Sequence, residues 1–199
     1  MGEVCLYNQV AAVVGLANLR MDNPGTLGGL IGYDLLSRFP VKVDFRRRLL
    51  TIYNPSKWTP SDSQYAVPLN LTSKVPSVEV EIDSAIGNFL VDLGNSIGLI
   101  LHKSFADKHN LMAGFSDIKD EVGGISGIGG STTAKSARGT LLRIGRTEIK
   151  RPALLVIDGE AGVLRSSELD GNLGNSILAQ FLVLFDYQNR KLYLTPFAP

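Results

Sequence analysis

The sequence predicts a mostly β protein with a few short helices. Residues Val78, Val80 and Ile82 alternate with glutamates, which is typical of a strand with one face in water. Residues 123–130 contain five glycines in eight positions, a composition that excludes a helix interior and favours the tip of a hairpin. A segment near the start of the chain also recurs near its end, with turns and strand-like apolar residues in the same order.

The recurrence is an internal repeat with an offset of 142 residues. Residues 27–50 align with 169–192 without a gap, and nine of the 24 positions are identical. Each copy predicts a glycine-containing turn, a short helix, a strand, a polar turn and a second strand. The helices are predicted at 33–38 and 175–180, and the polar turns at 46–48 and 188–189. At the same offset the apolar stretch 10–19 aligns with 152–161, which makes it a strand candidate.

The segment between the copies predicts the domain boundaries. Residues 54–68 hold three prolines among Ser, Asp and Asn, a composition typical of a linker. We therefore expect one unit at 1–54, a linker at 55–68 and a second unit at 69–199. The elements predicted in the second unit, beside its copy of the repeat, are strands at 78–82, 89–91, 139–144 and 153–157, a turn at 83–87 and a helix at 103–110.

The composition excludes several classes of partner. Twenty Lys and Arg residues against 19 Asp and Glu give a net charge of +1, so we expect neither nucleic acid nor an anionic membrane surface as a partner. The sequence predicts neither a signal peptide nor a membrane span. His102 and His109 lie seven positions apart with no cysteine beside them, so we expect no metal site and no cofactor. Cys5 cannot form an internal disulfide and does not indicate a compartment.

The chemistry-bearing residues follow an order that resembles one lobe of a retropepsin-like or pepsin-like aspartic protease. A strand leads into Asp92-Leu93-Gly94-Asn95-Ser96, the glycine-rich run comes next, and Leu169 to Gly174 precedes a helix and two strands. Residues 28–36 are similar to the apolar-apolar-Gly segment of that family. The resemblance implies a complete second lobe of the acid-protease β-barrel type at 69–199 and a partial first lobe at 1–54.

The resemblance also implies an aspartic endopeptidase that activates water with two facing aspartates, which share one proton because neighbouring like charges cannot both ionise. Asp92 would be one of the two. Leu93, Gly94, Asn95 and Ser96 would complete its turn, and Ser96 could bond near the carboxylate. Gly127, Ile128, Gly129 and Gly130 would form the tip of a flap that closes over an extended peptide or protein substrate.

Two departures keep a second function open. Leu93 stands where the family has Thr or Ser, whose hydroxyl bonds across the interface between the two Asp-bearing loops. The repeat offset would also place the other Asp turn before Met1, so the second carboxylate would come from a missing first lobe or from a homodimer. The alternative is a catalytically silent module of the same fold that binds peptides or a partner chain.

A third hypothesis is a serine hydrolase. Residues 94–98 satisfy Gly-x-Ser-x-Gly, with Ser96 as nucleophile, after a strand and before a possible helix. That class needs a histidine late in the chain, whereas the two histidines lie only a few residues beyond Ser96. The glycine run matches no nucleotide-binding loop, because Gly130 stands where the phosphate-binding lysine would be.

Overall fold

The computed structural model describes residues 5, 7, 13, 29–60, 63–72, 75–127, 130–157 and 168–197. These residues form two β-sheets and three short α-helices, which confirms the mostly β fold class. The strand order is β2-β1-β13-β14-β3 in the five-stranded sheet and β10-β9-β4-β5-β12-β6-β11-β8-β7 in the nine-stranded sheet. The larger sheet has free ends at β10 and β7, so within the described residues it is open and not a closed barrel.

In chain order, the helices are α1 (Tyr33–Leu36), α2 (Lys103–Lys108) and α3 (Asn175–Leu178). The strands are β1 (Val41–Asp44), β2 (Leu49–Ile52), β3 (Ala66–Pro68), β4 (Ser77–Ile82), β5 (Ala85–Val91), β6 (Leu99–His102), β7 (Ser116–Gly127), β8 (Gly130–Arg138), β9 (Leu141–Ile144), β10 (Thr147–Lys150), β11 (Ala153–Ile157), β12 (Gly171–Leu173), β13 (Phe181–Asp186) and β14 (Lys191–Pro196).

The five-stranded sheet contains both copies of the repeat. Strand β1 pairs with β13 antiparallel, and Lys42 lies opposite Leu184, its own equivalent 142 positions along the chain. Val41 pairs with Phe185, which is the equivalent of Val43, and Val43 pairs with Val183, which is the equivalent of Val41. A local two-fold axis therefore passes between Lys42 and Leu184. The hairpins β1–β2 and β13–β14 lie on either side of it.

The two hairpins also turn in the same way. The Asp44 carboxylate accepts a hydrogen bond from the Arg47 N–H at 2.9 Å, and the Asp186 carboxylate accepts one from the Asn189 N–H at 3.1 Å. Arg48 and Arg190, again 142 positions apart, both have positive φ, at 53° and 51°. An aspartate that caps its own turn explains why the aspartates recur in the repeat.

One continuous core lies between the sheets. The inward side chains of β13 and β14, such as Val183 and Leu194, belong to the same buried cluster as Val78, Val80 and Phe89 of the larger sheet. The predicted alternation of β4 is confirmed, because Val78, Val80 and Ile82 are buried whereas Glu79 is exposed. Burial of this apolar surface is the main contribution that stabilises the fold.

Several predicted elements have different bounds in the structure. The predicted turn at 83–87 is limited to Asp83 and Ser84, since Ile82 pairs directly with Ala85. Both turn residues have positive φ, and the Asp83 carboxylate accepts N–H groups of residues 140 and 141. The helices end at Leu36, Lys108 and Leu178, two residues before the predicted ends.

The predicted linker contributes a strand. Its last three residues form β3, which pairs with β14 and extends the five-stranded sheet. The apolar stretch 10–19 falls outside the described residues except for Val13, so the strand predicted there stays a prediction. The division into units at 1–54 and 69–199 also stays a prediction.

Candidate functional site around Asp92

Asp92 lies immediately after β5, at the carboxyl end of the parallel pair β5 and β12 in the middle of the nine-stranded sheet. Its backbone N–H donates to the Leu173 carbonyl at 3.0 Å, so β12 holds the start of the turn. The carboxylate is partly buried. Its Oδ1 accepts the Gly94 N–H at 2.8 Å, and its Oδ2 accepts Nδ2 of Asn172 at 3.0 Å.

Asn95 fixes the orientation of the Asn172 amide. Oδ1 of Asn95 accepts the backbone N–H groups of Ile97 and Gly98, at 2.9 and 3.4 Å. Nδ2 of Asn95 therefore faces the other way, and it donates to Oδ1 of Asn172 at 2.9 Å and to the Gly98 carbonyl at 2.9 Å. With its oxygen turned toward Asn95, Asn172 presents its NH₂ group to Asp92. Both asparagines are buried, so few other partners compete.

A second loop packs against the Asp92 turn. The Asn175 N–H donates to the Asn95 carbonyl at 2.7 Å, and Nδ2 of Asn175 donates to the Leu93 carbonyl at 2.8 Å. The two backbones approach so closely that a Cβ on Gly174 would lie 2.4 Å from the Asn95 side chain. Gly98 has φ of +137°, a conformation that only glycine adopts readily. The two facing loops have the same sequence over five residues, because Leu-Gly-Asn-Ser-Ile stands at Leu93–Ile97 and again 80 positions later at Leu173–Ile177.

The glycine-rich run lies in the long hairpin of β7 and β8. The strands pair from Ser116↔Arg138 to Gly127↔Gly130, and Ile128 and Gly129 lie outside the described residues. A cavity of about 260 Å³ separates the base of this hairpin from the loop that follows Asp92. The lining residues are Ile97, Asp117, Lys119, Ser136, Ala137, Arg138, Ala153, Leu154 and Leu155.

The serine-hydrolase hypothesis finds no support in the geometry. After Ser96 the chain enters strand β6 and not the helix that a nucleophile elbow requires. His102 is buried at the end of β6 and its Nε2 has no hydrogen-bond partner, whereas the His109 ring packs on Phe105 at a centroid distance of 4.7 Å. Neither histidine bonds Ser96 among the described residues. Burial lowers the pKa of His102, although a hydrogen bond to the Leu169 backbone and the nearby charge of Asp170 oppose the shift.

The structure brings together some of the predicted site residues. Gly94 donates to Asp92 as the Asp-x-Gly pattern suggests, and Asn95 lies in the same hydrogen-bond network. Ser96 is exposed, and the hydrogen bonds of the carboxylate come from Gly94 and Asn172 instead. Leu93 packs against the core. Within the described parts of the chain, no three His, Cys, Asp or Glu side chains are placed to hold a metal ion.

Sequence reasoning gave Asn172 no role in the site. A signal was available, because the 80-residue offset that relates Leu93–Ile97 to Leu173–Ile177 also relates Asp92 to Asn172. The identity ends at that position, because one copy has Asp and the other has Asn, so identity between the copies does not mark the pair. Among the helices that the structure describes, none has the length and apolar character to cross a membrane.

Comparison with known proteins gives structural neighbours at low sequence identity. No family model and no curated protein matches the chain. A retropepsin-like aspartic protease from Rickettsia conorii superposes with a TM-score of 0.44 and 21% identity, covering 65% of this chain and 86% of that one. EIAV protease complexed with the inhibitor HBY-793 gives a TM-score of 0.41 and 23% identity, covering 53% and 86%.

The basic 7S globulin from soybean gives a TM-score of 0.44 and 12% identity, covering 79% of this chain and 50% of that one. The solved structures similar to this chain thus include retropepsin-like aspartic proteases, at low identity.

Proposed function

We propose that this chain supplies one carboxylate, that of Asp92, to an aspartic endopeptidase site. The observation that carries the proposal is the turn itself. A partly buried carboxylate follows a strand, and both of its oxygens accept hydrogen bonds from fixed donors. A carboxylate held in this way is oriented before substrate arrives, which is what a general base for water requires.

The reaction needs a second carboxyl group opposite Asp92. Asp92 accepts a proton from water as the water oxygen attacks the peptide carbonyl carbon, while the second carboxyl donates its proton to the carbonyl oxygen. The tetrahedral intermediate then collapses: the C–N bond breaks, the leaving nitrogen receives the proton held by Asp92, and one hydroxyl of the intermediate returns its proton to the second carboxylate. The products are a carboxylic acid and an amine, so atoms and protons balance. A first lobe or a second copy of this chain would supply the second carboxyl group.

The proposed substrate is an extended peptide segment. The β7–β8 hairpin presents backbone N–H and C=O groups along a long ribbon, and an extended peptide can pair with such groups as an added strand. The cavity beside Ile97 would receive one substrate side chain; its lining includes the apolar residues Leu154 and Leu155 and the charged residues Asp117, Lys119 and Arg138.

The test is peptide hydrolysis by the purified chain over a range of acidic pH and protein concentration, with Asp92→Asn as the variant. We expect pepstatin-sensitive cleavage that Asp92→Asn lowers by roughly 10³-fold or more. Asp107→Asn is the matched control, because Asp107 is an exposed aspartate on α2. Cleavage that survives Asp92→Asn would refute the assignment of Asp92. A rate that rises with the square of protein concentration would indicate a second copy as the source of the other carboxyl.

Leu93 supports a second candidate, a silent module that binds extended peptides without cleaving them. Its side chain packs on the core and offers no hydroxyl to a facing loop. In this case, a peptide library incubated with the chain yields bound and intact peptides by mass spectrometry, and Asp92→Asn leaves both binding and peptide integrity unchanged.

A further inference from the structure

Asp92 and Asn172 occupy equivalent positions of two facing loops, and their side chains touch. The 80-residue offset that relates the two copies of Leu-Gly-Asn-Ser-Ile also relates these two residues. Nδ2 of Asn172 lies 3.0 Å from Oδ2 of Asp92. The Asp92 carboxylate therefore already contacts a side chain from the same sheet, and that side chain is a neutral amide.

The side-chain amide of Asn172 cannot rotate by 180° without losing hydrogen bonds. A flipped Asn172 would set its oxygen against the Asp92 oxygen and its NH₂ group against Nδ2 of Asn95, so two hydrogen bonds would be replaced by two repulsive contacts. Asn95 cannot adapt by flipping, because its Oδ1 accepts two backbone N–H groups. The network therefore holds the NH₂ group of Asn172 against Asp92.

We propose that Asn172 is a positioning residue: the hydrogen bond that it donates keeps Asp92 as the proton acceptor, or base, of the carboxyl pair. The inference rests on the proposed function. Gly94 donates to one oxygen of Asp92 and Asn172 to the other. A proton added to either oxygen in those directions would point at an N–H group and not at an acceptor. The shared proton of the pair would then reside on the opposite carboxyl group, which acts as the acid toward the substrate carbonyl.

Other charged groups lie farther along the neighbouring elements. Asp170 precedes β12, where its carboxylate accepts the Asn88 N–H, and His102 ends β6 next to Asp170. Asp117, Lys119 and Arg138 line the cavity beside Ile97. The hydrogen bonds to the Asp92 carboxylate come from Gly94 and Asn172 alone in the described structure, so a change at Asn172 acts on Asp92 directly.

Thermal unfolding at two pH values tests the contact without any activity. Asn172→Asp keeps the size of the side chain but sets two carboxyl groups about 3 Å apart, and such a pair cannot ionise fully. We expect its Tm deficit relative to wild type to be small near about pH 4 and to grow toward about pH 7, where both groups would be charged. Asn172→Leu loses the donor to the charged carboxylate but adds no second charge, so its deficit should change with pH in the same direction and by much less than that of Asn172→Asp.

The double variant Asp92→Asn with Asn172→Asp, here called the exchange variant, is the control for a general folding defect in Asn172→Asp. It restores an amide facing a carboxylate, so we expect it to recover at neutral pH most of the stability lost by Asn172→Asp alone. A Tm deficit of Asn172→Asp that is equal at both pH values would refute the contact between Asn172 and Asp92. An exchange variant that recovers no stability would refute it as well.

Peptidase kinetics test the role. We expect Asn172→Leu to lower kcat on the order of ten-fold with KM nearly unchanged, because one hydrogen bond to the base is lost while the substrate contacts remain. Asn172→Asp should retain activity only at the acidic end of the pH profile. A wild-type kcat in Asn172→Leu, with Asp92→Asn inactive, would overturn the positioning role and retain the proposed function. An inactive wild type with a pH-dependent Tm deficit would overturn the proposed function and retain Asn172 as the partner of Asp92.

Discussion

The two repeat-related aspartates, Asp44 and Asp186, should contribute unequally to stability although they cap equivalent turns. Asp186 is 1% exposed and accepts two hydrogen bonds from Asn189, from its backbone N–H at 3.1 Å and from its Nδ2 at 2.7 Å. Asp44 is 9% exposed and accepts one backbone N–H, from Arg47 at 2.9 Å. The Arg47 guanidinium lies 3.9 Å from Asp44, but it is mostly in water, so this ion pair adds little.

A hydrogen bond to a charged group contributes about 1.5–3 kcal/mol, and water can hydrate part of the turn after the carboxylate is removed. We therefore expect Asp186→Ala to cost about 2–3 kcal/mol of the free energy of unfolding and Asp44→Ala about 1 kcal/mol. Urea titration followed by circular dichroism measures both, provided that the m values stay equal. Asp186→Asn is the control, since an amide oxygen can still accept the backbone N–H. Equal costs for the two alanine variants, or a larger cost for Asp44→Ala, would refute the reasoning.

Three further variants test the site and the core. Gly174→Ala should destabilise the chain by several kcal/mol in thermal unfolding, because its Cβ would lie 2.4 Å from Asn95; a change under about 0.5 kcal/mol would contradict the close approach. His102→Leu should flatten the pH dependence of stability: burial lowers the pKa of His102, so wild type is fully stabilised above about pH 6.5 and loses up to about 1.4 kcal/mol per pH unit below it. An unchanged pH slope in urea titrations would contradict this expectation. Leu93→Thr should raise peptidase kcat if a missing hydroxyl limits catalysis, and an unaltered kcat in a peptide assay would show that Leu93 is not limiting.

The hairpins of the repeat could be predicted well from the sequence because local chemistry determines them. Alternating apolar residues, a turn aspartate and a short polar turn act within about ten residues, and the structure places β13 and β14 as that pattern indicates. The same holds for β4, which combines alternating burial with β-branched residues.

The short buried strands could not be predicted in the same way. All four residues of β6 are buried, and β12 has three residues, so neither shows the alternation that identifies a strand. β12 forms because β5 and β6 lie on either side of it and leave a gap one strand wide. Such pairing is a property of the assembled sheet. The hydrogen bond between Asn172 and Asp92 depends on it as well, since β12 sets the position of Asn172.

The two internal relations of the chain meet at Asn172 and bear on which carboxyl holds the proton. The 80-residue offset relates Asn172 to Asp92, and the 142-residue offset relates Asn172 to Leu30 in the first copy of the repeat. A carboxylate-bearing turn that packed on residues 29–32, as the Asp92 turn packs on residues 171–174, would therefore meet an apolar side chain where Asp92 meets an amide. Leu30 cannot donate a hydrogen bond, and apolar surroundings disfavour a charged carboxylate. The two positions therefore differ in hydrogen bonding: Asn172 offers Asp92 a donor, whereas Leu30 would offer a facing carboxyl group none. Leu30→Asn should weaken this difference and lower kcat in the peptidase assay, whereas an unchanged kcat would argue against a turn packed on Leu30.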